Sequence, residues 1–197
     1  MQRGKRCPSL TRIALLIATL TACSARRDTA MNNDSKTIID VKSPDSVQWF
    51  VINDGVMGGL SEGTIETTAD GTAVFQGVLS LENNGGFSSV RTRPADFNLA
   101  GAEGLIFRVK GDGKRYKAYL RMDSNFDGII YQAAFETVPG KWMDARLPFK
   151  SFEPTYHGRS RPDARPLDAN DVTSLGFIVS DKQEGPFRLE IESVKSF

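Results

Sequence analysis

Short segments that alternate between two faces dominate the chain after Ser46, and this pattern constrains the fold more than any other feature. Leu105, Phe107 and Val109, for example, fall at every second position of one such segment. Residues spaced by two line the same face of a β-strand. About ten short segments of this kind follow one another at hairpin spacing, without a convincing amphipathic helix between them. The sequence therefore predicts an all-β protein, a β-sandwich or jelly roll.

Two glycine-rich blocks interrupt these segments. Asn53–Ser61 reads NDGVMGGLS, and Asn83–Arg91 reads NNGGFSSVR. Paired glycines allow a positive φ or a close approach of the backbone to another group, so both blocks predict tight corners on a rim of loops. Two interpretations stay open. The corners are purely architectural, or they bind a ligand or partner through Asn53, Asp54 and Asn83.

The polar face of the predicted sheet is a second candidate surface. Flat rings contact apolar groups, while guanidinium and amide groups form directional hydrogen bonds, so such a face suits a polar ligand or a protein partner. The alternative is an ordinary solvated sheet face. We expect replacement of Tyr119 or Arg121 by Ala to cost less than about 0.5 kcal/mol of stability, as at other surface positions. The predicted face contains Arg108, Lys110, Lys117, Tyr119 and Arg121, with Gln132 beside Tyr119 across a hairpin and Arg91 and Trp142 from neighbouring strands.

The residue inventory argues against most catalytic chemistry. His157 is the only histidine, and the only cysteines are Cys7 and Cys23. Ser-His-Asp, Cys-His and zinc sites are therefore not expected. A hydrolase that uses paired carboxylates is a weaker alternative, because nothing in the sequence marks any two of the 24 acidic residues as a catalytic pair. We expect a protein that is not an enzyme and has no cofactor or metal.

Charge also narrows the class of partner. The formal net charge is +1, but residues 1–22 carry four basic residues and no acid, which leaves 21 basic against 24 acidic residues in the remainder. Nucleic-acid binding along the phosphate backbone needs a basic surface, so no nucleic-acid partner is expected.

Asp123–Gly128, DSNFDG, matches the first half of a calcium-binding loop. The bidentate acid expected at the twelfth position is replaced by Ala134. Asp, Asn and Gly are also common in turns between two strands. The pattern favours a turn, with calcium binding as the alternative.

The first residues resemble a bacterial lipoprotein signal. A basic region precedes the apolar run Ile13–Leu20, which is too short to cross a bilayer as a helix. The run ends in Leu20-Thr21-Ala22-Cys23, similar to a lipobox. This resemblance implies cleavage before Cys23 and acylation of that residue. Ser24 after the cysteine favours the outer membrane, facing the periplasm.

We accordingly expect three regions. Residues 1–22 form the lipoprotein signal peptide, residues 23–45 a flexible polar tether, and residues 46–197 the β-sandwich domain. A short edge strand is expected within the tether at Ile38–Val41. The segment Phe149–Leu167, with four prolines, predicts a long irregular loop.

A set of motifs spread over about 150 residues occurs in a fixed order along the chain. These motifs are Trp49, Asn53–Ser61, Gly77, Asn83 with Gly85–Arg91, Gly111-Asp112-Gly113 with Tyr116, Phe135, Trp142 and Leu147-Pro148-Phe149. In these motifs the chain resembles the complex I intermediate-associated protein 30 family. The resemblance implies a galactose-binding-domain-like β-sandwich, similar to some carbohydrate-binding modules, and a non-enzymatic role in assembling respiratory complex I.

Two functions follow as expectations. The first is a chaperone-like assembly factor that binds a protein client, either a subunit of the respiratory NADH dehydrogenase complex or part of another envelope complex. The alternative is a carbohydrate-binding module that recognises an envelope or extracellular glycan. Both agree with a membrane association through a lipid anchor at Cys23.

Overall fold

The computed structural model describes Met1 and residues 35–43, 46–125 and 127–197. The chain divides into the units Met1–Asn32 and Asn33–Phe197, and all elements described below belong to the second. The predicted lipidation site Cys23 and the signal peptide after Met1 lie outside the described residues. No helix in the described ranges has the length and apolar character needed to cross a membrane.

Strands and short 3-10 helices make up the described regular structure. The strands are β1 (Lys36–Asp40), β2 (Trp49–Asn53), β3 (Glu62–Thr67), β4 (Ala73–Leu79), β5 (Ser88–Thr92), β6 (Gly104–Lys110), β7 (Arg115–Arg121), β8 (Ile130–Glu136), β9 (Trp142–Pro148), β10 (Glu153–Tyr156), β11 (Arg159–Ser160), β12 (Ser174–Val179) and β13 (Gly185–Ser196). The 3-10 helices are η1 (Asp54–Met57), η2 (Glu82–Asn84), η3 (Phe149–Ser151) and η4 (Ala169–Asp171).

These strands form two antiparallel sheets. Sheet A has six strands in the order β3-β4-β13-β6-β9, with β1 also paired to β13. Sheet B has seven strands in the order β11-β10-β8-β7-β12-β5-β2. The predicted all-β sandwich is confirmed. The alternating segments of the sequence after Ser46 correspond to β2, β4 to β9, β12 and β13, and the edge strand expected at Ile38–Val41 corresponds to β1.

The hydrophobic core contains apolar side chains from both sheets. The Phe107 ring of sheet A packs edge-on against Phe177 of sheet B, with ring centroids 5.3 Å apart. Phe135 also packs edge-on against Phe177. Edge-to-face contacts of this kind add to the stabilisation from apolar burial. The alternation predicted for β6 is confirmed, because Leu105, Phe107 and Val109 are fully buried.

β1 confirms the short edge strand expected at Ile38–Val41, although it begins earlier, at Lys36. It pairs with β13 of sheet A, with Lys36 opposite Ser196. Its Ile39 is buried in the core, which explains why this segment joins the sandwich. The segment Phe149–Leu167 is more regular than predicted, since it contains η3, β10 and β11.

Candidate functional site

The carboxylate of Asp54 joins the two glycine-rich blocks. Asp54 is fully buried at the start of η1. Its Oδ1 accepts a hydrogen bond from the Ser61 N–H at 2.9 Å. Its Oδ2 accepts from the Ser61 hydroxyl at 2.5 Å, from the Gly86 N–H at 2.6 Å and from the Phe87 N–H at 3.2 Å. One side chain therefore holds together two corners that lie about 30 residues apart in the sequence.

Glycines surround this carboxylate because no larger residue fits. A Cβ atom on Gly59 would lie 2.4 Å from the Asp54 Cγ, and one on Gly85 would lie 2.7 Å from the Asp54 Oδ2. The backbone can approach the buried acid only without side chains at these two positions. The architectural interpretation of the glycines is thus supported here by a specific contact.

The hydrogen bonds also determine the ionisation of Asp54. Burial alone would raise the pKa of this carboxyl group, since it disfavours the charged form. The donors from Ser61, Gly86 and Phe87 outweigh burial and hold the Asp54 pKa below its ordinary value. Asp54 is therefore a charged structural group at neutral pH.

Between Asp54 and Ser61 the chain exposes large apolar side chains. The exposed fractions are 65% for Val56, 59% for Met57 and 52% for Leu60. We call residues 55–60 the apolar loop. Sequence patterning did not single out these side chains, although three large apolar residues between glycines, without strand periodicity, would have been the signal to use.

The other two corner candidates differ in environment. The Asn53 Oδ1 accepts a hydrogen bond from the Ser88 hydroxyl at 2.6 Å, and its Nδ2 donates to the Gly63 carbonyl at 3.4 Å. Asn53 thus helps to connect neighbouring strands. Asn83 is exposed in η2 with a left-handed φ of 53°.

The predicted polar sheet face is divided between the two sheets, which corrects the sequence-based arrangement. Arg108 and Lys110 lie on β6 of sheet A, where the Lys110 Nζ is 5.2 Å from the Trp142 ring centroid. Tyr119 and Arg121 lie on β7 of sheet B, and the predicted pairing of Tyr119 with Gln132 is confirmed. The turn after β6 leads the chain into the other sheet, so β6 and β7 do not form a hairpin.

On sheet B, Tyr119 and Arg121 are buried and not solvated. Each has an exposed fraction of 3%. The Tyr119 ring lies across Gly176, because a Cβ atom there would be 2.8 Å from the Tyr119 Cζ. Burial raises the pKa of the Tyr119 hydroxyl well above its ordinary value. The predicted placement of these two residues on a solvated face is therefore wrong, and we expect their replacement to cost more stability than at a surface position.

A cavity of about 210 Å³ opens beside these residues on sheet B. Arg91, from the second glycine block, enters it with an exposed fraction of 7%. The Arg91 guanidinium carbon lies 4.8 Å from the ring centroid of Phe50, its cross-strand neighbour. The sequence identified Arg91 and Arg121 as candidates, but it did not identify Phe50.

The segment Asp123–Gly128 follows β7 and contributes to this cavity through Asp123, Ser124 and Asn125. The Asp123 Oδ1 accepts hydrogen bonds from Arg121 at 2.9 Å and from the Asn125 N–H at 3.0 Å. These contacts give Asp123 a role in a turn. Within the described part of the chain, no group of three or more His, Cys, Asp or Glu side chains is placed to hold a metal ion.

His157 is exposed on the loop between β10 and β11. Its Nε2 lies 2.8 Å from the Asp127 Oδ1, and its ring stacks on Tyr156 with centroids 4.1 Å apart. The contact between the His157 ring and the Asp127 carboxylate is exposed to solvent, as is typical of loop residues.

The profile of a family described as Complex I intermediate-associated protein 30 (CIA30) matches residues 39–191. The Drosophila melanogaster protein named Complex I intermediate-associated protein 30, mitochondrial, is 29% identical over 184 residues, covering 82% of this chain and 62% of the relative. The Mus musculus protein of the same name is 28% identical over 170 residues, covering 76% of this chain and 52% of the relative. The chain thus spans less than two thirds of these relatives.

Among solved structures, the fold is similar to a family 11 carbohydrate-binding module from Clostridium thermocellum, solved in complex with a β-1,3-1,4-mixed-linked tetrasaccharide. The TM-score is 0.60 at 15% sequence identity, covering 83% of this chain and 95% of the module. At this identity the similarity concerns the fold, and it confirms the carbohydrate-binding-module-like sandwich.

Proposed function

Because this chain belongs to the complex I intermediate-associated protein 30 family, we propose that it is a non-enzymatic binding protein that assists assembly of a respiratory NADH dehydrogenase complex or another envelope complex. Its client is a protein subunit. Family membership supports a role in complex I assembly. The apolar loop is the observation that supports a protein client.

The apolar loop has the properties of a preformed protein-binding surface. Val56, Met57 and Leu60 expose more than half of their surface, and large apolar side chains grouped in this way commonly mark interaction sites. The loop is anchored at both ends, by the Asp54 carboxylate and by Ser61, which donates to it. A loop that is already ordered loses little conformational entropy on binding, so more of the contact energy appears as affinity.

Charge around the loop favours a protein client over an anionic membrane surface. Glu62 follows Ser61 after the loop, and Glu82 lies in η2 beside the Asp54 junction; both are exposed. Val78, with an exposed fraction of 53%, lies opposite Glu62 in the β3–β4 pair. Acidic residues at the rim repel anionic lipid headgroups and attract basic residues of a protein.

A photo-crosslinking amino acid at Met57 tests this surface. We expect it to capture one client, identifiable as a subunit of a membrane complex, because Met57 is an exposed side chain of the apolar loop. Val138 is the matched control, since it is an apolar residue with an exposed fraction of 47% outside the loop. Capture of the same proteins from both positions, or of no complex subunit from Met57, would contradict the proposed client-binding surface.

A second candidate function is glycan binding through sheet B. The cavity that supports it combines an aromatic side chain, Phe50, with hydrogen-bonding groups of Arg91, Asn125 and Ser174. Such combinations suit sugars, whose apolar faces stack on rings while hydroxyl groups form hydrogen bonds. Binding of the same glycan on an array by the wild type and by a protein with an altered apolar loop would support this function.

We also propose that Cys23 carries the lipid anchor and that the domain faces the periplasm from the outer membrane. We expect a palmitate analogue to label the wild-type protein, whereas Cys23→Ala is not labelled, because the acylated thiol and amine belong to that residue. Gel fluorescence after metabolic labelling measures the difference. Equal labelling of both proteins would exclude the anchor.

A further inference from the structure

The strand β3, which follows the apolar loop, forms an open edge of sheet A. It pairs with β4 and with no other strand in the described ranges. The Thr68 N–H donates to the Thr72 carbonyl at 2.8 Å, and this bond fixes the alternation along the β3–β4 pair. In an antiparallel pair, every second residue directs its N–H and C=O away from the partner strand. Gly63, Ile65 and Thr67 therefore direct these groups toward the open edge.

A contact at one end of β3 agrees with this direction. The Gly63 carbonyl accepts a hydrogen bond at 3.4 Å from the Asn53 Nδ2, which belongs to β2 in the other sheet. Ile65 and Thr67 lie further along β3, beside a cleft of about 370 Å³ between residues of β2 and β3. An edge whose main-chain groups lack a strand partner is a template for pairing with another extended chain.

The cleft beside this edge has an apolar floor. Val47, Trp49 and Ile65 line it and pack against the hydrophobic core. Its volume lies within the roughly 300–1,000 Å³ of typical binding pockets. Side chains of a strand added to β3 would alternate between this cleft and the outer face of the sheet. The cleft therefore favours a segment with apolar side chains at every second position.

The outer face of β3 favours basic residues between those apolar positions. Glu62, Thr64 and Glu66 alternate with the residues that face the open edge, and all three are exposed. Opposite charges on neighbouring strands stabilise strand pairing, whereas like charges destabilise it. Lys or Arg side chains of an added strand would therefore be attracted to the two glutamates.

The edge is continuous with the surface proposed to bind the client. The apolar loop, residues 55–60, connects the end of β2 with the beginning of β3. The six residues of β3 span roughly 20 Å. A client that contacts the apolar loop can therefore extend along β3 toward the cleft.

We propose that β3 binds an extended segment of the protein client as an added strand of sheet A. Main-chain hydrogen bonds to Ile65 and Thr67 hold the segment, and its apolar side chains enter the cleft. Lys or Arg side chains between them face Glu62 and Glu66. This inference rests on the proposed protein client and specifies which kind of client segment is recognised.

A photo-crosslinking amino acid at Thr64 of the full chain tests this edge. Thr64 is an exposed residue within β3, and its replacement leaves the main-chain groups of Ile65 and Thr67 in place. We expect the probe to capture the same complex subunit as the probe at Met57. Mass spectrometry should place the crosslink in a segment where apolar residues alternate with Lys or Arg. Asp144 is the matched control position, since it is exposed on β9 at the opposite edge of sheet A.

The outcomes separate this inference from the proposed function. Capture of a complex subunit at Met57 but not at Thr64 would overturn the inference and leave the client intact. Crosslinking at Thr64 only to a second copy of this chain, or equal capture at Asp144, would also overturn it. Capture of no complex subunit at either Met57 or Thr64 would contradict the proposed function together with the inference.

Thr67→Pro tests the main-chain hydrogen bonds at the edge. Proline lacks an N–H, and the Thr67 N–H faces away from β4, so the β3–β4 hydrogen bonds are kept. We expect capture at Thr64 to fall at least about threefold, because one hydrogen bond to the client is lost. Asp144→Pro is the matched control, since it removes an N–H that faces the opposite open edge. Thermal unfolding verifies that both variants fold, and undiminished capture in folded Thr67→Pro, or an equal loss in both, would overturn the inference.

Discussion

Replacement of Asp54 by Ala is expected to lower the free energy of unfolding by about 4 kcal/mol. The substitution removes an acceptor used by three backbone N–H groups and one hydroxyl, all at the junction of the two glycine blocks. Buried donors without an acceptor each cost about 1–3 kcal/mol. Denaturant unfolding of the wild type and the variant measures the difference.

Asp96→Ala is the matched control for this substitution. Asp96 is exposed and accepts one backbone hydrogen bond, from the Asn98 N–H at 2.9 Å. We expect its loss to cost less than about 1 kcal/mol, in the range of a single solvated hydrogen bond. A similar effect of both substitutions would show that Asp54 is not a special link between the blocks.

The difference between wild type and Asp54→Ala also has a defined pH dependence. Because the Asp54 pKa is lowered in the folded state, the charged carboxylate stabilises the fold at pH values above its unfolded pKa of about 3.9. This contribution is lost as the pH falls through the lower, folded-state pKa. We expect a constant difference above about pH 5 that decreases below about pH 4.

Gly176→Ala is expected to cost about 2–3 kcal/mol of stability, the second largest effect. A Cβ atom at this position would lie 2.1 Å from the Val90 carbonyl oxygen and 2.9 Å from the Arg91 Cα, both in the neighbouring strand β5. It would also meet the Tyr119 ring. The added methyl group must therefore separate β12 from β5 or displace Tyr119, and thermal unfolding should show the loss.

Gly55→Ala provides the control for this prediction. A Cβ atom on Gly55 would have no neighbour within 4 Å, and the residue is exposed in the apolar loop. We expect a change in stability within about 0.5 kcal/mol. If Gly176→Ala is equally mild, the close packing of β5, β12 and Tyr119 is not as described.

Local patterning predicted the strands because burial requires a two-residue period. The alternation at Leu105, Phe107 and Val109 correctly identified β6, and the pairing of Tyr119 with Gln132 followed from a hairpin turn. Such features depend on neighbours in the sequence, and they can therefore be recognised without a structure.

The division into two sheets could not be predicted in this way. Whether the chain turns back into the same sheet after Lys110 or crosses to the other depends on contacts between distant segments. The same limit applies to Asp54, whose partner Gly86 lies 32 residues further along. Tyr119 and Arg121 occupied positions typical of a solvated face, but both are buried. Alternation distinguishes two faces of a strand and does not show what covers the second face.

The proposed role of this domain is to assist assembly of a NADH dehydrogenase complex through its apolar loop. Native gels of membranes from a strain that lacks the gene, complemented with wild type or with the triple variant Val56→Ser, Met57→Ser and Leu60→Ser, test it most directly. These side chains are exposed, so the variant should fold normally. We predict that wild type restores the assembled complex and that the folded triple variant does not. Normal assembly without the gene, or equal restoration by both proteins, would contradict the claim.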